Sequence, residues 1–126
     1  PPHTTSIGKI LLAHMPESRR EKILKNIQFA PLTDRSIRSR SQLIMELDNI
    51  KKEGIAFDNE ESVAGLSCIA GPVFNNRKEC IAAVSLSGNS SRIEMRRGEI
   101  INAVKYICFR MSEQMGFRID SSSAVN

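Results

Sequence analysis

Several residue types that mark common classes of protein are scarce in this chain of 126 residues. It has three cysteines, two histidines and no tryptophan. The cysteines form neither a CxxC pair nor a disulfide framework, and a sparse, odd number of them is typical of a reducing compartment. No cluster of residues has metal-ligand spacing, and the GxSxG and HExxH motifs are missing. We therefore expect no metal, no cofactor and a cytoplasmic location.

Long hydrophobic runs are missing as well. The longest stretch without a charged residue is 62–76, which has 15 residues and contains serine, asparagine, glycine and proline. A membrane-spanning helix needs about 18 or more mainly apolar residues. The first residues also lack the pattern of a secretory signal peptide. The sequence therefore predicts a protein that does not contact a membrane.

The composition that remains is that of an ordinary folded domain. Hydrophobic residues make up 40% of the chain and charged residues 25%, so a chain of this length can form one core. The net charge is +4, but basic residues occur in small groups with acidic residues between them, and aromatic residues make up only 5%. A nucleic-acid surface concentrates basic charge on one face and often adds stacking aromatics. We therefore do not expect this chain to bind nucleic acid directly.

Helix signals occupy the first part of the chain and strand signals follow them. The predicted helices cover 8–15, 17–25 and the segment between the capping residue Ser39 and the terminating Gly54, and the predicted strands cover 55–58, 66–74 and 79–87. A run of helices followed by a run of strands is typical of an α+β fold. We expect an antiparallel sheet with helices packed on one face.

A last helix is predicted after the strands. Ser91 and Glu94 have the spacing of a second capping box, and Gly116 ends the helix. An apolar stripe along this helix is formed by Ile100, Val104, Ile107, Met111 and Met115. The folded domain is predicted to cover 1–118, with a flexible tail over 119–126.

The predicted hairpin places three small polar side chains together. With a turn at 75–78, paired residues have numbers that sum to 153, so Cys68 lies opposite Ser85, and Ser87 lies diagonally on the same face. A three-residue turn would break this arrangement. The cluster is either a pocket for a small anionic ligand, or a core thiol beside two serines that bond to the backbone.

Two other places have a functional and a structural interpretation. Gly8 and Lys9 begin a helix, whose free N–H groups and dipole favour an anion, although simple helix initiation explains them equally well. Asp58 follows a strand and is either a ligand contact or a turn residue that bonds to the backbone. Glu60 and Glu61 have no partner histidine, and we interpret them as solvated.

A nucleophilic enzyme is poorly supported by the sequence. Cys68 or Ser85 would need a nearby base, and the chain offers only His3 and His14. We therefore expect no catalytic residues.

Several ordered motifs resemble the isocitrate-lyase-regulator (IclR) family of bacterial transcription factors. Residues 1–13, PPHTTSIGKILLA, are similar to the family's run PLHATASGKALLA. Residues 68–73, CIAGPV, are similar to CIAAPV, and residues 82–88, AAVSLSG, are similar to AALSVSG. Between these motifs, 54–56 resembles the family's GYA, and an acidic stretch and a glycine follow it. The resemblance covers residues 1–116.

The resemblance implies the effector-binding domain of a regulator, with a GAF/PAS-like fold. It implies a small organic acid as effector, held by N–H groups near Gly8 and Lys9 and by side chains at Asp58, Cys68, Ser85 and Ser87. It also implies a homodimer or homotetramer, and operator DNA bound through a winged helix-turn-helix domain outside this chain. The family's first strands of this domain are not in the chain, so we expect a sheet that is incomplete on its N-terminal side.

Two alternatives remain open beside this interpretation. Ile7 stands where the family has a small residue, so the chain could be an oligomerisation module that has lost its ligand. A Cys- or Ser-dependent enzyme is the other alternative.

Overall fold

The structure, a computed structural model, describes residues 1–119. Its elements, in chain order, are α1 (Ser6–His14), α2 (Glu17–Asn26), α3 (Arg40–Glu53), β1 (Ala56–Asn59), β2 (Leu66–Phe74), β3 (Cys80–Asn89), α4 (Ser90–Met95) and α5 (Arg97–Gln114). Within these residues the strands form one antiparallel sheet in the order β1-β2-β3. The predicted α+β class is therefore confirmed. The predicted tail lies outside the described residues except for Ile119.

Local capping explains where α1 begins and where α3 begins and ends. The side chain of Thr5 accepts a hydrogen bond from the Gly8 N–H and so caps α1. Ser39 caps α3 in the same way, as predicted, by accepting from the Gln42 N–H. Gly54 ends α3 with φ = 74°, a left-handed conformation that costs glycine little.

The two faces of the sheet are covered by different helices, because neighbouring strand residues point to opposite sides. Ala70 packs in one core with Ile10 of α1 and Leu47 of α3. Ile69, the preceding residue of β2, packs in a second core with Val104 of α5. Helices therefore pack on both faces, which corrects the prediction that they pack on one.

The predicted capping box of the last helix is wrong. Ser91 lies inside α4, and its N–H donates to the side chain of Asn89, which is the true cap. Arg96, with φ = −118° and ψ = 23°, then separates α4 from α5, so two helices replace the single one that was predicted.

The predicted apolar stripe of that helix is confirmed at Ile100 and Val104, which pack in the second core, and is wrong in phase beyond them. Val104, Cys108 and Ser112 form the buried row of α5, whereas Ile107 and Met111 are 45% and 39% exposed. Ser112 is buried because its hydroxyl accepts from the Phe74 N–H at 2.9 Å and donates to the Cys108 carbonyl at 2.7 Å. The hydrogen bond from the Phe74 N–H of β2 to Ser112 therefore helps to place this face of α5 against the sheet.

The strand register differs from the prediction by two residues. Ser87, not Ser85, lies opposite Cys68, and Ser85 lies opposite Ala70. The Asn75 N–H bonds to the Glu79 carbonyl, so the turn is the three-residue loop 76–78, and this shifts the register by one. A bulge between Val73 and Phe74 shifts it by one more. A shift by one residue turns the side chains of a strand to the other face of the sheet, and a second shift turns them back. The side chains of Cys68, Ser85 and Ser87 therefore still share one face.

Close contact between β2 and α5 leads to a first prediction. A Cβ atom at Gly71 would lie 2.9 Å from the Cys108 Sγ and 3.2 Å from a methyl group of Val104. We expect Gly71→Ala to lower the free energy of unfolding by about 1–3 kcal/mol, the usual cost of overpacking a core. Urea denaturation of the variant and the wild type measures this loss.

The second variant Cys108→Ala shows whether the steric clash is the cause. It removes the sulfur atom, so we expect Gly71→Ala to cost clearly less in the Cys108→Ala background than in the wild type. Equal costs in the two backgrounds would contradict the proposed contact.

Candidate functional site

Four of the residues singled out by the sequence share one face of the sheet. Asp58 of β1, Cys68 of β2 and Ser87 of β3 are register partners and form one row across the three strands. The next row contains Ala56, Ala70 and Ser85. Ala56 and Ala70 pack in the same core as the residues of α1. The row therefore lies on the face that α1 covers.

The side chains of this row are polar and differ in burial. The Cys68 Sγ and the Ser87 Oγ lie 3.1 Å apart in a hydrogen bond. Ser87 is exposed, and Cys68 and Ser85 are half-buried. Asp58 is only 2% exposed, and one of its carboxylate oxygens accepts from the Glu61 N–H at 2.8 Å. Asp58 therefore has the role of a turn residue, whatever else it contacts.

Helix α1 runs so that its N-terminus lies at the end of the sheet that carries Cys68. At the other end of the helix, the His14 ring contacts the ring of Phe74, next to the hairpin turn, at 5.2 Å. Just before the helix, the Thr4 carbonyl accepts from the hydroxyl of Ser62, in the connection that leads into β2, at 2.7 Å. The first turn of α1 and the polar row are therefore at the same end of the domain.

The first turn of α1 offers backbone donors, but not at Gly8. The Gly8 N–H donates to the Thr5 side chain at 3.0 Å, and the Lys9 N–H donates to the Thr5 carbonyl at 3.0 Å. Among residues 1–119 the N–H groups of Ser6 and Ile7 have no hydrogen-bond partner. The unpartnered donors therefore lie one or two residues before the predicted position, and Ser6 is 2% exposed whereas Ile7 is 39% exposed.

The side chain of Lys9 has internal partners and does not face a ligand. It is completely buried, and its ammonium donates to Glu46 at 2.5 Å, to the Phe57 carbonyl at 2.7 Å and to Glu61 at 2.7 and 2.8 Å. An ammonium has three protons, and these three groups use all of them. Lys9 and Asp58 are the two predicted site residues that the structure buries, and the ammonium of Lys9 has no proton left for a ligand.

The interpretation of Glu61 as a solvated residue is wrong. Its side chain is only 7% exposed and is bound to Lys9. Burial raises the pKa of the Glu61 carboxyl above its ordinary value, and the attraction of the Lys9 ammonium opposes this only in part. A signal was available in the sequence: Lys9 lies three and four residues before Leu12 and Ala13, on the apolar face of α1.

The other side chains that could act as a base or bind a metal ion lie apart from this site or form no cluster. His3 packs against the ring of Phe29 and His14 against that of Phe74, so neither is paired with Cys68. Within residues 1–119 no three His, Cys, Asp or Glu side chains could hold a metal ion together. In the same range no helix is long and apolar enough to cross a membrane. Hydroxyls, a thiol and backbone N–H groups remain, and these suit a small anion.

Comparison with known proteins identifies a single family. The sequence model described as "Bacterial transcriptional regulator IclR C-terminal" matches residues 1–112. Over 118 residues, the chain is 36% identical to the transcriptional regulator KdgR of Escherichia coli, covering 93% of this chain and 45% of KdgR. It is also 37% identical to XynR of the same organism over 94 residues, covering 75% of this chain and 37% of XynR. The chain thus spans less than half the length of these relatives.

Solved structures agree with the sequence comparison. The crystal structure of the C-terminal domain of E. coli KdgR matches with a TM-score of 0.85 at 36% identity, covering 93% of this chain and 72% of that one. The inducer-binding domain of PobR from Acinetobacter, a double mutant in complex with 3-hydroxybenzoic acid, matches with a TM-score of 0.82. It is 22% identical and covers 89% of this chain and 67% of that one, so this likeness concerns the fold alone.

Proposed function

Since the chain belongs to the IclR family of bacterial transcriptional regulators and matches the C-terminal part of that family, we propose that it senses a small organic acid. Its relatives are regulators and not enzymes. One observation carries the proposal: the row of Asp58, Cys68 and Ser87 lies at the same end of the domain as the unpartnered N–H groups of Ser6 and Ile7. Donors from a helix and donors from a sheet are thus found on the same face and at the same end of the sheet.

The charges of the site set the orientation of such an acid. An ionised Asp58 would repel the carboxylate of the effector, so that carboxylate lies toward the N–H groups of Ser6 and Ile7 and the serine hydroxyls. A hydroxyl or an ordered water at the far end of the effector then faces Asp58. The site would therefore prefer a hydroxy acid or a sugar acid to a simple fatty acid. The PobR domain, which has the same fold, is a complex with a hydroxylated carboxylic acid.

The whole regulator would carry further parts outside this chain. We propose that a winged helix-turn-helix domain binds operator DNA, and that effector domains assemble into homodimers or homotetramers. The effector would change the relative orientation of subunits, and through it the affinity for the operator. Light scattering of the chain tests the assembly: a mass of one chain at all concentrations would contradict it.

Calorimetry of the purified chain tests the proposal directly. A panel of 2-oxo acids, sugar acids and 3-hydroxybenzoate is titrated, and the melting temperature is measured with each acid. We expect at least one acid to give a heat of binding and a higher melting temperature, because a ligand that binds only the folded state stabilises it. No heat and no shift with any acid would favour the alternative, an oligomerisation module without a ligand. Ile7, which is 39% exposed at the start of α1, motivates that alternative.

A pair of neighbouring variants separates binding from stability. Ser85 points to the face of α1, whereas Val84 packs in the core under α5. We expect Ser85→Ala to lower the affinity for an acid found in the panel by roughly ten- to a hundredfold, the value of a charged hydrogen bond of about 1.5–3 kcal/mol. The folding stability should change by less than about 1 kcal/mol.

Val84→Ala is the matched control, since it removes volume from the core on the other face. We expect it to lower the melting temperature and to leave the affinity unchanged. Titration and a melting curve of each variant give both quantities. Equal affinity of wild type and Ser85→Ala, with the fold intact, would remove Ser85 from the site.

A further inference from the structure

The buried ammonium of Lys9 joins three elements at one point. It bonds to Glu46 of α3, to the Phe57 carbonyl of β1, and to Glu61 in the turn after β1. We propose that Lys9 is a positioning residue of the acid-binding site, which sets the first turn of α1 against the polar row of the sheet. This inference rests on the proposed function, because it assigns a role to Lys9 within that same site.

The first part of the argument concerns the turn that carries Asp58. Glu61 is held on four sides: by Lys9, by the Asn59 N–H at 3.1 Å, by the Asp58 carboxylate at its own N–H, and by the Ser36 hydroxyl at its carbonyl at 2.6 Å. A displacement of Glu61 therefore displaces Asp58 as well. The ammonium of Lys9 bonds to both carboxylate oxygens of Glu61, and through Glu61 it also fixes the position of Asp58.

The second part concerns the helix donors. Lys9 lies in the first turn and a half of α1, and Ser6 and Ile7 lie in the same turn. The Thr4 carbonyl just before them is bonded to Ser62, which follows Glu61 in the same connection. Two contacts, Thr4 with Ser62 and Lys9 with Glu61, therefore join the start of α1 to the turn after β1, one on either side of Ser6 and Ile7. Backbone donors that are held in place lose less entropy when they bind a ligand.

Stability alone does not account for this arrangement. The cost of removing two charges from water offsets most of the attraction within a buried pair, and neutral residues often replace such a pair without loss of stability. What these charges do provide is a specific geometry, because the side chains of Lys9, Glu46 and Glu61 must meet at hydrogen-bond distances. We therefore expect a neutral pair to keep the fold and to loosen the site.

Cys68 provides a reporter that does not require the natural effector. Iodoacetate is a small carboxylate and iodoacetamide is its neutral counterpart, and in both cases the thiolate sulfur displaces iodide from the CH₂ carbon. A site that attracts carboxylates raises the rate with iodoacetate, whereas a change in exposure alters both rates alike. The ratio of the two rates therefore reports recognition of the carboxylate and is independent of access to the thiol.

The chain contains its own control for this measurement. Trypsin separates Cys68, in the peptide 53–77, from Cys80, in the peptide 79–92, so mass spectrometry follows both thiols in one sample. In the wild type we expect the ratio at Cys68 to exceed the ratio at Cys80 by about two- to fivefold, which corresponds to the usual effect of a helix N-terminus on a negative charge.

The test variant is Lys9→Met combined with Glu61→Gln, which removes one charge of each sign from the interior. The matched control is Lys105→Met combined with Glu99→Gln, which makes the same changes at exposed positions of α5. We expect the ratio at Cys68 to fall to the ratio at Cys80 in the test variant and to stay at the wild-type value in the control. Circular dichroism and melting curves show that each variant is folded.

The outcomes distinguish the two proposals. A wild-type ratio at Cys68 no higher than at Cys80 would overturn the carboxylate site itself. A raised ratio in the wild type that persists in the folded test variant would overturn only the positioning role of Lys9. If the test variant does not fold, Glu61→Met alone decides: it removes both oxygens that accept from Lys9, while Glu46 still balances the ammonium, so an unchanged ratio would also overturn the positioning role.

Discussion

Lys9→Met is expected to lower the free energy of unfolding by about 3–5 kcal/mol, because it leaves a buried carboxylate without its partner. Lys9 is completely buried, and the side chain of Glu61 is only 7% exposed. Methionine has nearly the length of lysine, so the loss comes from charge and hydrogen bonds and not from a cavity. Domains of this kind have a total stability of about 5–15 kcal/mol, so the variant is near the limit of folding.

The loss should depend on pH in a direction that the Glu61 carboxyl determines. Burial already raises the pKa of Glu61, and Lys9 is the main group that lowers it again, with Glu46 nearby raising it further. Without Lys9 the pKa of Glu61 rises more, so the variant binds a proton at a pH where the wild type does not. At a pH below both pKa values the carboxyl is neutral in both proteins, and the loss is smallest. The loss should then grow as the pH rises through the two pKa values, by at most about 1.4 kcal/mol per pH unit.

Urea denaturation of both proteins at several pH values measures this dependence. Glu61→Gln serves as the control, because it keeps an oxygen that accepts from Lys9, and Glu46 still balances the ammonium. We expect Glu61→Gln to cost much less than Lys9→Met at neutral pH. A loss for Lys9→Met that is small, or that is the same at all pH values, would contradict the buried pair.

Gly8→Ala is expected to have the next largest effect and to release the first residues of the chain from α1. A Cβ atom at position 8 would lie 2.3 Å from the carbonyl oxygen of Pro2 and 2.7 Å from its Cα. These are backbone atoms, which cannot turn away as a side chain does. We expect a loss in the free energy of unfolding at the upper end of the range of about 1–3 kcal/mol for overpacking.

Gly98→Ala, measured in the same urea series, is the matched control for this variant. Gly98 also lies in the first turn of a helix, but a Cβ atom there would have no neighbour within 4 Å. Alanine is the better helix former by about 1 kcal/mol, so we expect Gly98→Ala to be neutral or stabilising. Similar effects of the two substitutions would show that the contact with Pro2 does not constrain position 8.

The sequence alone determined most of the elements and the face of the sheet that carries Cys68, Ser85 and Ser87. Capping by Ser39 and the left-handed Gly54 bound α3 as predicted, and β2 was predicted over 66–74 and is observed over Leu66–Phe74. These signals are local, since a cap or a turn acts on residues a few positions away. The strict alternation of a strand also placed Cys68, Ser85 and Ser87 on one face, in spite of the wrong register.

The register itself was decided by tertiary structure. The three-residue loop 76–78 and a bulge between Val73 and Phe74 together bring Ser87, instead of Ser85, opposite Cys68. Nothing in the apolar sequence of either strand marks the extra residue, because its place depends on packing on both faces of the sheet. In the same way, α5 has apolar residues on more than one face, and contact with β2 selects the face of Val104 and Cys108.

The role of Lys9 shows this limit most clearly. The apolar periodicity of α1 places Lys9 on the buried face, and this can be predicted from the local sequence. Its partners, Glu46 and Glu61, lie 37 and 52 residues further along the chain. A charge can be buried only where other elements supply opposite charge and acceptors at hydrogen-bond distance. Only the folded chain brings α1, α3 and the turn after β1 together, and so only the tertiary structure decides that Lys9 binds the protein and not a ligand.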